Sequence, residues 1–205
     1  MAKVGILNYG CGNITSVKSS LALLGYDSKI ISSEKEITKI DSLIIPGVGN
    51  YSYAMSSIKE LSFDSAIKEH VLIKKRKILG ICLGFQIMSE AGTEGGETQG
   101  LGIINSKVEK FNCNYGNSPI THIGFNSVIH NTACSINKNL GELADYYFLH
   151  SYRYNSEAIQ NQSSFCDYCE KFPAIYENEN VFGVQFHPEK SQTNGLRLLN
   201  NFLGL

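Results

Sequence analysis

Lys77-Ile78-Leu79-Gly80-Ile81-Cys82-Leu83-Gly84-Phe85-Gln86 is the stretch on which the fold turns. An apolar run suited to a buried strand ends at a cysteine, and a run suited to a helix begins directly after it. The pattern Gly80-x-Cys82-x-Gly84 is the cysteine version of a nucleophile elbow, a tight strand-to-helix turn that lifts its central side chain above the edge of a sheet. Glycines on both sides remove Cβ atoms that would clash where strand and helix approach closely. A thiol at a helix N-terminus has its thiolate stabilised by the positive end of the helix dipole. The N–H of Leu83 is then placed to stabilise the oxyanion that forms when the thiolate attacks a carbonyl. A free cysteine is more often a buried structural residue, but the glycine bracketing and the strand-to-helix setting favour the reactive reading.

Upstream of this turn, strand and helix signals alternate. Residues 3–7 read as a short apolar strand and 10–13 as a turn. Ile14, Val17, Leu21 and Leu24 recur at helical spacing, and Gly25 closes that helix. Residues 26–32 and 42–45 read as further strands, the second stopped by Pro46-Gly47, and residues 51–75 carry two helical stretches. Short apolar strands separated by helices predict an open, mostly parallel, doubly wound α/β sheet with helices on both faces. After Gly102 the pattern changes to strand-like runs at 106–111, 127–129, 146–149, 173–177 and 181–186, joined by turns rich in Asn and Gly. These predict antiparallel strands added to one edge of the sheet, before a last helix from about Gln192. No internal repeat, low-complexity tract or linker divides the chain, which reads as a single domain over residues 1–205.

A cysteine nucleophile needs a general base, and five histidines are candidates. His70 lies in a polar helical stretch and His130 in a loop of Asn and Ser, so both read as solvated. His122 and His150 sit at strand ends and could line a cleft. His187 directly follows the apolar strand 181–186, at the edge where an α/β sheet places ligands. Pro188 forbids a continuing strand. A carboxylate two residues after the imidazole, Glu189, can fold back onto the ring N–H, fix its tautomer and stabilise the imidazolium. Spacing alone also allows a strand-end histidine beside an exposed glutamate. Joined to the cysteine elbow, His-Pro-Glu makes Cys82, His187 and Glu189 the candidate catalytic triad.

Composition excludes several other classes. The chain has 205 residues, 42% hydrophobic and 18% charged, with a formal net charge of -1. It shows no polybasic run and no acidic tail, so nothing electrostatic points to nucleic acid or an anionic membrane. Its longest apolar runs fall far short of a membrane span, and the amino terminus lacks the features of a signal peptide. Cytoplasmic residence is the expectation. In that compartment the six cysteines read as thiols rather than as a disulfide framework. Cys166 and Cys169 form one CxxC pair, but a tetrahedral zinc site would need a second pair of ligands at comparable spacing, so two incidental thiols are expected and no metal.

With these residues in view, the chain resembles the class I glutamine amidotransferases over essentially its whole length. It is most similar to the glutaminase subunits of imidazole glycerol phosphate synthases, enzymes of histidine biosynthesis. The wider class shares Gly80-Ile-Cys-Leu-Gly84 with Gln86, and His187-Pro-Glu189. More particular to the subfamily are Pro46-Gly47-Val48-Gly49, Glu94-Gly95-Gly96 with Gly100-Leu-Gly102, His122-x-Gly124-x-Asn126, His150-Ser151-Tyr152, and the run Gly183 to Gln192. The resemblance implies that the amide of Val48 is a second oxyanion donor beside Leu83, in a peptide that reorients before the site is active. Gly47 and Gly49 ease that dihedral change. It also implies that Gln86, Ser151 and Tyr152 hold glutamine together with the Gly47–Gly49 segment. The chain departs from the subfamily in having Phe125 where tryptophan is usual, Asn8 where aspartate is common and Cys169 where glycine is usual. None of these touches the triad, and Phe125 and Asn8 bear on the surface toward a partner.

The implied reaction is hydrolysis of the glutamine side-chain amide through a γ-glutamyl thioester, with no metal or organic cofactor. The machinery leaves no residues for an ammonia-accepting domain, which implies a heterodimer with a partner synthase. By resemblance that partner is a (β/α)₈ barrel cyclase, and the isolated chain is little active until the liganded partner binds. Three other readings stay open on sequence: the same glutaminase serving an amidotransferase that modifies sugars for surface polysaccharide, a catalytically silent regulatory subunit, and a standalone γ-glutamyl hydrolase.

Overall fold

A computed structural model of the chain describes residues 3–112, 121–157 and 159–205. In chain order the strands are β1 (Val4–Leu7), β2 (Ser28–Ile31), β3 (Ser42–Gly47), β4 (Lys77–Cys82), β5 (Ser89–Gly92), β6 (Thr98–Gln99), β7 (Ile104–Lys110), β8 (His122–Ile129), β9 (Leu143–His150), β10 (Tyr152–Tyr154), β11 (Ser163–Tyr168), β12 (Glu170–Asn178) and β13 (Val181–Val184). The α-helices are α1 (Ile14–Leu23), α2 (Glu34–Ile37), α3 (Tyr51–Glu60), α4 (Phe63–Lys68), α5 (Leu83–Gln86) and α6 (Gln192–Gly204).

Nine strands form one sheet in the order β2-β1-β3-β4-β13-β12-β11-β8-β9. The first five are parallel, and β12, β11, β8 and β9 extend the sheet in antiparallel fashion. The parallel strands are apolar on both faces because both faces are covered. Ile6, Ile44 and Leu79 pack against Val17 and Leu21 of α1 and Leu198 and Phe202 of α6. Leu7, Leu43, Ile45 and Ile78 pack on the other side, against Tyr51 and Ile58 of α3 and Phe63 of α4. Each such fully buried side chain contributes about 1.5–3 kcal/mol.

The structure departs from the sequence expectations in places that have physical causes. Residues 106–111 do not join the edge of the main sheet. Strand β7 lies in a separate four-stranded sheet, β10-β7-β5-β6, whose members β5 and β6 are too short and polar to show a period-two pattern. Pro46-Gly47 does not stop β3, which stays in register with β4 as far as Gly47↔Cys82. Its pairing with β1 ends at Ile44, so the proline falls where one side of the strand is open. Strand β8 starts at His122, well before residue 127, because Gly124 at φ +118° and Asn126 interrupt the apolar pattern without interrupting the pairing with β9.

His70 and His130, expected in solvent, are both buried. His70 Nε2 meets the Lys77 carbonyl at 3.2 Å. His130 is held between the Gly141 carbonyl at 2.8 Å and the Tyr146 hydroxyl at 3.0 Å. Each polar ring found internal partners that a linear pattern does not reveal. The expectation of six thiols is also corrected: Cys169 is disulfide-bonded, whereas Cys11, Cys82, Cys134 and Cys166 are free and buried; Cys113 lies outside the described residues. Among the described residues no helix is long and apolar enough to cross a membrane, and no group of three or more His, Cys, Asp or Glu side chains is placed to hold a metal ion.

Candidate active site

Cys82 ends β4 at φ 52° and ψ -111°, a region that a side chain enters only at a cost of about 1–3 kcal/mol. The turn persists because the glycines around it let three backbones close in. A Cβ on Gly84 would lie 1.8 Å from the Ile45 carbonyl oxygen in β3. The helix that follows is a single turn, Leu83–Gln86. The helix dipole behind the thiol, which the sequence suggests, is therefore that of one turn, and a second polar group faces the sulfur.

It comes from the end of β13. The chain continues from β13 with the Gln185 N–H donating to the Ala174 carbonyl at 2.9 Å and the His187 N–H donating to the Tyr147 carbonyl at 2.8 Å. A 3₁₀ turn, Pro188–Lys190, then brings Glu189 back onto the imidazole. His187 Nδ1 meets Glu189 Oε1 at 2.9 Å, with both side chains only 2% exposed. Two contacts hold this turn. Ser191 Oγ donates to the His187 carbonyl at 2.6 Å and accepts from the Tyr147 N–H at 2.9 Å. Gly195 lets α6 rest on Pro188, since a Cβ there would lie 2.0 Å from the Pro188 carbonyl oxygen.

Among the described residues the buried Nε2 of His187 makes no hydrogen bond. The Cys82 sulfur is close enough to act on the ring electrostatically. Burial opposes charge on the ring, but the Cys82 sulfur and the Glu189 carboxylate outweigh it and push the His187 pKa up to about 10. An imidazolium clamped between a sulfur and a carboxylate is the arrangement of an activated cysteine nucleophile. Cys82, His187 and Glu189, named separately from sequence, are thus brought together by three elements: the elbow, the end of β13 and the 3₁₀ turn.

Cys82 opens onto a cleft of about 220 Å³ that is also lined by Val48, Gly49, Leu83, Gln86, Ser151 and Tyr152. Of the residues expected to act on or hold substrate, Gly47, His187 and Glu189 do not line it. Gly47 lies beneath, where a Cβ would come within 2.4 Å of the Gly84 nitrogen. Val48 is 43% exposed at the rim, and Gly49 stands at φ +121°. The Ser151 hydroxyl is paired with Thr121 Oγ1 at 2.9 Å.

Sequence reasoning assigned no role to Gln185, which is fully buried and donates from Nε2 to the Cys82 sulfur at 3.7 Å. An amide in the otherwise apolar run 181–186 was the signal that could have found it. Glu94, seen only as part of a motif, lines the cleft and anchors α3 by accepting from the Tyr51 N–H at 2.7 Å. His150 lines the cleft as well; His122 lies behind it, fully enclosed by aromatic rings. Phe125 and Asn8, where the chain departs from the subfamily pattern, are both exposed, Phe125 edge-on to Tyr147 at 5.6 Å.

Comparison with known proteins places these features in a family. Residues 6–204 match the glutamine amidotransferase class-I family. The imidazole glycerol phosphate synthase subunit HisH 1 of Campylobacter jejuni (strain RM1221) is 39% identical over 202 residues, 98% of this chain and 100% of that protein. The imidazole glycerol phosphate synthase subunit HisH of Desulfitobacterium hafniense (strain DSM 10664 / DCB-2) is 38% identical, over 97% of this chain and 92% of its own length. Among solved structures, PurLQS from Thermotoga maritima superposes with a TM-score of 0.73 at 16% identity, covering 100% of this chain and 99% of that one. A structure described as a glutamine amidotransferase superposes at 0.72 with 19% identity, covering 98% and 97%. At those identities the structural matches speak to the fold.

Proposed function

This chain belongs to the class-I glutamine amidotransferases, and from that premise we propose that it is the glutaminase subunit of an imidazole glycerol phosphate synthase in histidine biosynthesis. The observation that carries the reading is the strained Cys82 at the mouth of a cleft, backed by the buried His187–Glu189 pair at 2.9 Å.

In this reading the thiolate of Cys82 attacks the side-chain carbonyl carbon of glutamine. The amides of Leu83 and Val48 hold the oxyanion, and His187 delivers its proton to the departing nitrogen as ammonia leaves. Water, deprotonated by His187, then opens the γ-glutamyl thioester and releases glutamate. Glu189 keeps the imidazolium oriented throughout. Gln86, Ser151 and Tyr152 hold the amino-acid end of glutamine, with Gly47 and Gly49 letting the Val48 peptide turn toward the sulfur. Residues 1–205 act as one domain. The reaction asks for no metal or organic cofactor.

The ammonia goes to a cyclase subunit in a heterodimer, a (β/α)₈ barrel in this reading, and the pair works in the cytoplasm. Passage through a closed interface matters because ammonia released to bulk water is mostly protonated and no longer nucleophilic. The test is growth of a histidine auxotroph that lacks its own glutaminase subunit, supplied with this chain and the cyclase subunit from the same cell. Growth without histidine is the expected outcome. Glutamine hydrolysis without growth would assign the ammonia to another acceptor, as in sugar-modifying amidotransferases.

A further inference from the structure

We propose that Asn126 and His122 are positioning residues of the glutamine cleft, holding through the tautomer of His150 the Tyr152 carbonyl to which Gln86 donates. The inference rests on the glutaminase reading for its kinetic test alone; its structural test stands apart.

A continuous line of hydrogen bonds runs from β8 to the sulfur. Asn126 Nδ2 meets His122 Nε2 at 3.2 Å, His122 Nδ1 meets His150 Nε2 at 3.3 Å, and His150 Nδ1 meets the Tyr152 carbonyl at 2.8 Å. That carbonyl also accepts from Gln86 Nε2 at 2.8 Å, Gln86 Nε2 donates again to Gln185 Oε1 at 3.1 Å, and Gln185 Nε2 donates to Cys82 Sγ at 3.7 Å.

The direction of every link follows from its ends. A carbonyl only accepts, so the proton of His150 sits on Nδ1, and in the neutral ring Nε2 is bare. His122 must therefore donate from Nδ1, leaving its own Nε2 to accept from Asn126. The amide of Asn126 is oriented independently by the backbone: its Oδ1 accepts from the Ser127 N–H at 2.8 Å and its Nδ2 donates to the Asp167 carbonyl at 3.0 Å. Neutral rings suit the surroundings. His122 is stacked between Phe148 at 4.4 Å and Tyr168 at 4.1 Å, and burial pulls its pKa down to about 4. Burial, aided by the nearby His122 and His187 rings, pulls that of His150 down to about 3 against the pull of the Tyr152 carbonyl.

The consequence reaches the substrate. With both hydrogens of Gln86 Nε2 committed to Tyr152 and Gln185, the group that Gln86 presents to the cleft is its carbonyl oxygen. An acceptor there fits the α-ammonium group of glutamine. Reversing the line at Asn126 sets acceptor against acceptor, either between the two rings or between His150 Nδ1 and the Tyr152 carbonyl, along a buried path, which low local polarity makes costly.

The substitution that reverses it is Asn126→Asp, which keeps the shape and replaces the Nδ2 donor to both His122 and the Asp167 carbonyl with an acceptor. In the complex with the cyclase subunit, the KM for glutamine is expected to rise about ten-fold, the scale of one misplaced hydrogen bond, while kcat changes less than about three-fold. In the free chain, ¹⁵N NMR at pH 7 is expected to find His122 and His150 each singly protonated on Nδ1, and Asn126→Asp to move the His122 proton to Nε2. A wild-type chain with either ring protonated on Nε2 overturns the proposal, as does a variant with both tautomers and KM unchanged. If the wild-type complex fails to hydrolyse glutamine, the glutaminase reading falls, and the NMR result still decides this one.

Discussion

Replacing Cys82 with alanine in the complex with the cyclase subunit is expected to lower glutamine hydrolysis about 10⁴-fold or more, the scale seen when a covalent nucleophile is removed from a triad. The loss should fall on kcat, because the cleft walls proposed to bind glutamine are built from other residues. Binding of glutamine should survive, since the side chain removed is small and 5% exposed. Folding should survive as well. Alanine is no worse suited than cysteine to the positive φ at residue 82, and the cavity left is that of a single sulfur. The assay is steady-state glutamate release, with circular dichroism of the variant to show that the fold is intact. Residual hydrolysis near the wild-type rate would mean that another group attacks the amide.

Gly84→Ala is expected to be the most damaging glycine-to-alanine change among the described residues. The added Cβ would stand 1.8 Å from the Ile45 carbonyl oxygen and 2.7 Å from its carbon. Both are backbone atoms of β3, paired at this point with Gly80 of β4, so no flexible side chain can move aside. Either β3 or the elbow must shift by more than an ångström. Overpacking of this kind costs about 3 kcal/mol or more, a large part of the roughly 5–15 kcal/mol that holds a domain together. Gly204→Ala, where a Cβ meets nothing within 4 Å, is the matched control and should leave the unfolding midpoint nearly unchanged. Equal midpoints for the two variants, measured by urea denaturation, would show that the elbow is not held as described.

What the sequence made legible was local and strongly constrained. The elbow was readable because a strand, a reactive side chain and two obligatory glycines must be adjacent in the chain for that turn to form. His-Pro-Glu was readable because base and orienter lie two residues apart, close enough for a short turn to join them. The parallel half of the sheet declared itself through strands buried on both faces. Longer-range features were hidden. The separate sheet around β7 includes a strand as short as β6, and the burial of His70 and His130 depends on carbonyls and a hydroxyl 7 to 16 residues away. Cys169 could not be told from Cys166 by spacing, although one is bonded and the other a free thiol. Gln185 escaped notice because its partner is the cysteine 103 residues away.

The nucleophile's environment shows the same division. Sequence pointed to a helix dipole as the source of thiolate stabilisation, and the four-residue α5 supplies little of it. The His187 ring beside the sulfur is held by a carboxylate that is itself 2% exposed. A charge pair in so dry a setting is strongly coupled to its neighbours, which is why the turn carrying it is clamped by Ser191 and covered by α6.

The central claim is that the sulfur of residue 82 bonds to the glutamine carbon during turnover. Acid-quenching the complex within its first turnovers on isotopically labelled glutamine, followed by peptide mass mapping, measures that bond directly. A labelled γ-glutamyl group on the peptide containing Cys82, absent from Cys82→Ala, is the predicted result. Labelled glutamate released at full rate with the acyl group found on a different residue would contradict it.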